Sequence, residues 1–226
     1  MKNKLVIGTA NFGMAYGQGV NPKELSVSTI KNILQSANHH GISILDTAIN
    51  YGDSELVLGN NCLEDFSLIT KLPEVPKNYK NLEKWIDSQL DGSLERLSVP
   101  SLDAILLHQP LQLLESFGEK LFQKMELLKS KGLVKKIGIS VYSPHELDSI
   151  CNNFRFDIVQ APFNILDKRF LESGWMDKLQ EEGTSLHVRS IFMQGLLLMK
   201  KSERPEQFSP WNKIWNRWHQ WLEETN

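Results

Sequence analysis

Cysteine is scarce in this chain. Only Cys62 and Cys151 occur, far apart and in no C-x-x-C pattern. No disulfide framework is expected, a reducing compartment fits, and both thiols read as inert small residues. No apolar run approaches the roughly 20 residues of a membrane span. The opening Leu5-Val6-Ile7-Gly8-Thr9 is too short for a signal-peptide core. The expected location is therefore the cytoplasm. No long block of like charge appears, the formal net charge is −2 and the pI is about 6.3. Neither nucleic acid nor a membrane is an expected partner. No H-E-x-x-H and no Cys/His cluster occurs, so no metal is expected. His39-His40 reads as a helix C-terminus, where cations are favourable. No Pro/Gly/Ser linker and no low-complexity stretch interrupts the chain, which points to a single domain over residues 1–226.

What is present is a regular alternation of strand-like and helix-like stretches. Strands are expected at Leu5 to Thr9, Ile42 to Ala48, Phe66 to Leu72, Leu102 to His108, Lys136 to Val141, Asp157 to Pro162 and Leu186 to Phe192. Helical spacing of apolar residues marks Val27 to His39, Leu82 to Leu97 and Leu121 to Lys129. A short helix starts at Ser54, and another covers Met176 to Glu182. Ser143-Pro144-His145-Glu146 carries an S-x-x-E capping box with Pro at the first helical position, so a helix begins there. Gly195 to Pro210 reads as a loop. Trp211, Ile214, Trp215, Trp218 and Leu222 recur at helical spacing in the tail, which is expected to dock on the sheet. Such alternation argues for a parallel sheet. A doubly wound sheet is the rival to a barrel, but no G-x-G-x-x-G follows the first strand.

Three of these strands are apolar except at their downstream tips. Ile44-Leu45-Asp46 ends in a carboxylate, with Tyr51 in the following loop. Ser67-Leu68-Ile69-Thr70-Lys71 ends in an ammonium, and Ala104-Ile105-Leu106-Leu107-His108 in an imidazole. In parallel α/β barrels catalytic groups come from the ends of several strands on one face. Taken singly, each has a plain structural reading: Asp46 as a turn cap, Lys71 as a solvated strand end, His108 as a hydrogen-bonded tip, Tyr51 as a packing residue. Together they suit carbonyl reduction. Tyr51 would give the proton to oxygen, though an unperturbed phenol titrates near about 10. Lys71 would lower that value, Asp46 would hold Lys71, and His108 would orient the carbonyl. The hydride must come from a cofactor.

The sequence resembles the aldo/keto reductase family at Leu45-Asp46-Thr47-Ala48 with Tyr51-Gly52-Asp53-Ser54-Glu55, and at Ile69-Thr70-Lys71. Leu94-Glu95-Arg96-Leu97, Leu106-Leu107-His108 and Gly132 to Ser140 extend the likeness, in family order and spacing. The resemblance implies a (β/α)8 TIM-type barrel and NADPH-dependent reduction of an aldehyde or ketone, with Asp46, Tyr51, Lys71 and His108 as the catalytic tetrad. It implies cofactor contacts from Gly8, Thr9, Ala10 and Asp46 at the ribose and nicotinamide. Ser140 and Gln160 would take the carboxamide. Arg189 falls at the ring-stacking position, Ser190 at a phosphate contact, and Gln194 in the same segment.

Val141 stands where many members have Asn, and Arg189 where many have an aromatic ring. A guanidinium can stack, and its charge is less welcome beside oxidised nicotinamide than beside the reduced ring, which favours reduction. The family carries several tens of further residues past the Trp-rich helix, with strand eight and the groups that grip the 2′-phosphate. About seven strand–helix units precede Asn226, so the expected fold is a barrel incomplete at its C-terminus. An exposed barrel edge could then support oligomers. A second reading keeps the fold as a slow or non-catalytic nucleotide-binding protein.

Overall fold

The computed structural model describes residues 4–18 and 25–225. Seven strands form one sheet in sequence order, each parallel to the next. They are β1 (Ile7–Gly8), β2 (Ile44–Asp46), β3 (Ser67–Leu72), β4 (Leu102–Leu107), β5 (Val134–Ser140), β6 (Ile158–Pro162) and β7 (Ser185–Arg189). The helices are α1 (Ala10–Gly13), α2 (Val27–His39), α3 (Ser54–Gly59), α4 (Leu82–Leu97), α5 (Gly118–Ser130), α6 (Pro144–Ile150), α7 (Arg169–Glu172), α8 (Trp175–Glu181) and α9 (Asn212–Thr225). Sequence order with parallel neighbours is the winding of a barrel, not of a doubly wound sheet, whose strand order reverses at a switch point. Among the described residues β1 and β7 do not pair, so the curled sheet stays open between them. This is the incomplete (β/α)8 barrel that the family resemblance and the count of seven strand–helix units imply.

Side-chain parity divides the sheet into two faces. Leu45, Leu68, Leu72, Ile105, Leu107, Ile137, Ile139, Val159 and Ala161 belong to the main core beneath the helices. Ile69, Ala104, Leu106 and Ile158, with Ile44 beside them, form a separate cluster on the opposite, inner face. Residues two apart on a strand share a face. Asp46, Lys71, His108, Ser140, Gln160 and Arg189 therefore continue the inner face at the C-terminal ends of β2 to β7. Gly138 lets β5 approach β6, since a Cβ there would lie 2.4 Å from the Ile158 carbonyl oxygen.

Helix α4 has the predicted limits, with the Asn81 side chain accepting from the Lys84 N–H and Ser98 in a left-handed conformation at its end. The capping box of Ser143 and Glu146 forms at α6. Strand β1 is two residues rather than the expected five, and among the described residues it pairs with β2 alone. The segment expected as a loop contains 3-10 turns at Met193–Leu198, Lys201–Glu203 and Glu206–Trp211. Such short turns carry no apolar period to read. Helix α9 does not dock on the main core. It buries Trp215 against Leu196 and Leu197 in a cluster of its own, and the Trp218 indole donates to the Leu197 carbonyl at 3.1 Å.

Candidate active site

The inner-face tips converge on a buried ion pair. The Lys71 ammonium donates to Asp46 Oδ1 at 2.9 Å, to Oδ2 at 2.8 Å and to the Thr47 carbonyl at 2.7 Å. Its side chain is 0% exposed and that of Asp46 is 13% exposed. These bonds use all three ammonium donors. The Gln160 amide donates to Asp46 Oδ1 at 3.0 Å, and the Ser140 hydroxyl donates to Gln160 Oε1 at 3.2 Å. A carboxylate only accepts, which orients the Gln160 amide. A chain of bonds thus runs from β3 through β2 and β6 to β5.

Tyr51 and His108 lie over this pair. Their rings meet edge to face with centroids 5.8 Å apart, and Lys71 Nζ is 5.0 Å from the Tyr51 ring centroid. The Tyr51 turn is clamped to α1, where the Asp53 N–H donates to the Gly13 carbonyl at 3.2 Å. Gly52 adopts φ +55° there, and a Cβ on it would sit 2.1 Å from the Gly13 oxygen. The His108 N–H extends the β4 ladder to the Leu72 carbonyl at 3.0 Å. Behind Asp46, Ser54 Oγ donates to the Thr9 carbonyl at 2.9 Å and lies within hydrogen-bond distance of the Thr9 and Thr47 hydroxyls. The Thr9 N–H and hydroxyl both donate to the Asp46 carbonyl, at 2.9 Å and 3.1 Å.

The electrostatics depart from expectation at Tyr51. Burial first, and then the Asp46 carboxylate, push its phenol well above the ordinary tyrosine range. The expected lowering by Lys71 is absent because Asp46 neutralises the ammonium at contact distance. Burial and the Lys71 charge bring His108 down to about 4, so its imidazole is neutral near pH 7.

Asp46, Tyr51, Lys71, His108, Ser140 and Gln160 are thus brought together. Gly8 pairs with Asp46 across β1 and β2, and Thr9 and Ala10 continue from it into α1. Arg189 stacks on Tyr142, with its guanidinium carbon 4.2 Å from the ring centroid, and donates to the Val141 carbonyl at 3.0 Å. Ser190 has φ +59°, and its carbonyl accepts from Asn164 Nδ2 at 3.2 Å. Gln194 turns aside, its Oε1 accepting from Gln18 Nε2 at 2.6 Å.

Sequence reasoning missed several contributors. The Thr47 carbonyl and the Thr9–Ser54 hydroxyl network depend on main-chain geometry that no motif records. Tyr142 directly follows Val141, so an aromatic beside a strand tip was its signal. His187 lies two residues before Arg189 on β7. Burial holds it below the usual histidine value, and its Nδ1 has no hydrogen-bond partner among the described residues. Among the described residues no group of three His, Cys, Asp or Glu side chains is arranged to hold a metal. No described helix is long and apolar enough to cross a membrane.

Comparison with known proteins identifies relatives of this chain and its fold. The chain is 26% identical over 216 residues to the aldo-keto reductase YhdN of Bacillus subtilis, covering 89% of this chain and 62% of that protein. It is 27% identical over 198 residues to the uncharacterized oxidoreductase YqkF of the same organism, covering 81% and 63%. The chain thus spans less than two thirds of these relatives. Among solved structures, an aldo-keto reductase of Bacillus halodurans superposes with a TM-score of 0.68 at 23% identity, covering 90% of this chain and 66% of that one. An aldo/keto reductase of Klebsiella pneumoniae, solved with NADP and acetate, gives a TM-score of 0.64 at 19% identity, covering 84% and 65%. The sequence model of the aldo/keto reductase family matches residues 4–225, and the chain belongs to that family.

Proposed function

We propose that this site reduces an aldehyde or ketone to the alcohol with NADPH, Tyr51 serving as general acid. The observation that carries the reading is the buried Lys71–Asp46 pair beneath the Tyr51 and His108 rings. Complexes of family structures with NADP and NADPH support the choice of cofactor. So does the chemistry of the donor set. The Ser140 hydroxyl and the Gln160 carbonyl are buried at adjacent strand tips, bonded to each other at 3.2 Å, and would exchange that bond for a donor and an acceptor to a primary carboxamide. Asp46, Gly8 and Thr9 lie beside them for the ribose. When bound, the reduced nicotinamide supplies the hydride that no side chain holds.

The residues divide the remaining work. Neutral His108 donates a hydrogen bond to the substrate oxygen and fixes its position. As the carbonyl carbon gains hydride, its oxygen becomes an alkoxide, far more basic than a phenolate. Tyr51 therefore stays protonated until that charge develops, then transfers its proton and is left as a phenolate. Solvent then returns the proton to that phenolate. Asp46 keeps Lys71 in place, and Gln160 keeps Asp46 in place. Self-association through the open edges of β1 and β7 belongs to the same reading.

The test is Tyr51→Phe. Loss of general acid catalysis is expected to lower kcat by about 10²- to 10⁴-fold while NADPH still quenches tryptophan fluorescence. Full activity in Tyr51→Phe would exclude the mechanism. Binding of NADPH by the wild-type chain without turnover of any aldehyde would instead favour a nucleotide-binding role.

A further inference from the structure

Arg189 is held in a manner that a cofactor-stacking role does not require. One face of its guanidinium lies on the Tyr142 ring at 4.2 Å, and one N–H is tied to the Val141 carbonyl at 3.0 Å. Its backbone is anchored as well, since Pro162 pairs with it across β6 and β7 and its carbonyl accepts from the Phe163 N–H at 3.1 Å. The side chain is thus pre-positioned, with most of its five donors unused. Among the described residues no carboxylate lies within ion-pair distance of it. Asp167, an acid that feels its charge weakly, is held in a bidentate pair by Arg169 at 2.9 Å and 2.8 Å.

The other charges at this rim cancel. Lys71 is neutralised by Asp46, and His108 is neutral near pH 7. The Arg189 charge reaches Tyr51, His108 and Tyr16, so it acts on the space over the reacting groups. Tyr142, whose ring carries the guanidinium, and Tyr16, which feels the Arg189 charge, are both partly exposed. A planar guanidinium with a free edge matches a carboxylate through two parallel hydrogen bonds.

We infer that Arg189 is a specificity-determining residue that binds the carboxylate of an anionic carbonyl substrate through the guanidinium edge that Tyr142 and Val141 leave free. The inference rests on the reductase reading, because it takes Tyr51 and His108 as the carbonyl end of the same cleft. The substrate class is then an aldehyde or ketone bearing a carboxylate at its far end, and neutral carbonyl compounds bind less well.

Equilibrium binding tests this without any turnover. The probes are the product-side alcohols 4-(hydroxymethyl)benzoate and its neutral isostere 4-methylbenzyl alcohol. Each is titrated calorimetrically into the full chain, with and without saturating NADPH, which cannot take a hydride from an alcohol. The carboxylated alcohol is expected to bind at least about tenfold more tightly, as a charge-assisted hydrogen bond would give. Arg189→Met, of similar length but uncharged, is expected to reduce the ratio below about twofold. Arg189→Lys is expected to keep an intermediate ratio that falls with added salt. A circular dichroism melt matching wild type shows that the variants fold. A wild-type ratio below tenfold, or binding of neither alcohol, overturns the inference. So does a ratio that survives in Arg189→Met. If Arg189 instead stacks on the cofactor, Arg189→Met would weaken NADPH binding and leave the ratio unchanged. A preference for the carboxylate in a chain that oxidises no NADPH would uphold the anion subsite and remove the reduction.

Discussion

Lys71 shows how a single side chain organises this molecule. Its three donors end on Asp46 and Thr47, and none reaches Tyr51. Replacing it with Met would leave Asp46 charged beneath the sheet with only Gln160 to satisfy it. Breaking a buried pair from one side costs about 3–5 kcal/mol, so Lys71→Met is expected to lose that much in urea unfolding. The double variant Lys71→Met/Asp46→Leu is expected to recover part of it. His108 adds a pH dependence of known sign. Its folded value is about 4, against about 6.5 in an unfolded chain, so as pH falls the unfolded state takes the proton first. The His108 contribution to stability is complete above about pH 6.5 and drains between there and pH 4. At about 1.4 kcal/mol per unit its ceiling is about 3.5 kcal/mol. Urea midpoints at pH 7.5 and 4.5 should differ more in wild type than in His108→Asn. Burial holds His187 below its usual value too, so it adds slope of the same sign.

At the scale of elements, close helix contacts hold the Tyr51 loop. Glu55 on α3 is almost fully buried, and it accepts from Thr70 on β3 at 2.6 Å and from Ser93 on α4 at 2.6 Å. Arg96 closes the arrangement with bonds to Glu55 Oε2 at 2.9 Å and 2.7 Å. Glycine makes the approach possible, since a Cβ on Gly59 would lie 2.0 Å from the Arg96 carbonyl oxygen. That obstacle is backbone, so Gly59→Ala must push α3 from α4. The expected cost is about 3 kcal/mol, read as a lowered melting temperature. Much at this scale was legible beforehand: helix α4 from its apolar spacing, helix α6 from its capping box. The two-residue β1 was not, because a strand's length depends on how much of its neighbour remains to pair with.

The described residues hold three apolar clusters of unequal size. The sheet and its helices share the largest, while α9 packs in a small one of its own with Leu196, Leu197, Met193, Met199 and Phe208. Trp211 and Trp221 on that terminal segment remain about half exposed. Four of the six tryptophans, Trp211, Trp215, Trp218 and Trp221, fall there. Stability is distributed unevenly where contacts are few. Tryptophan fluorescence is therefore expected to change at lower urea than far-ultraviolet circular dichroism. The strands, read as one domain, should unfold together in the later step. Coincident transitions would show that α9 is coupled to the barrel more tightly than its small cluster suggests.

Strand–helix alternation and polar tips at Asp46, Lys71 and His108 were determined by the sequence alone, because period and parity are local properties. A polar residue two positions past Ile44, Ile69 or Leu106 must share its inward face whatever the rest of the chain does. Charge balance was decided only in three dimensions. The contact that neutralises Lys71 joins residues 25 apart, and the burial that lifts Tyr51 and lowers His108 comes from strands distant along the chain. The ring that holds Arg189 belongs to Tyr142, 47 positions earlier. Electrostatics depend on distance through space, and no spacing along the chain encodes it.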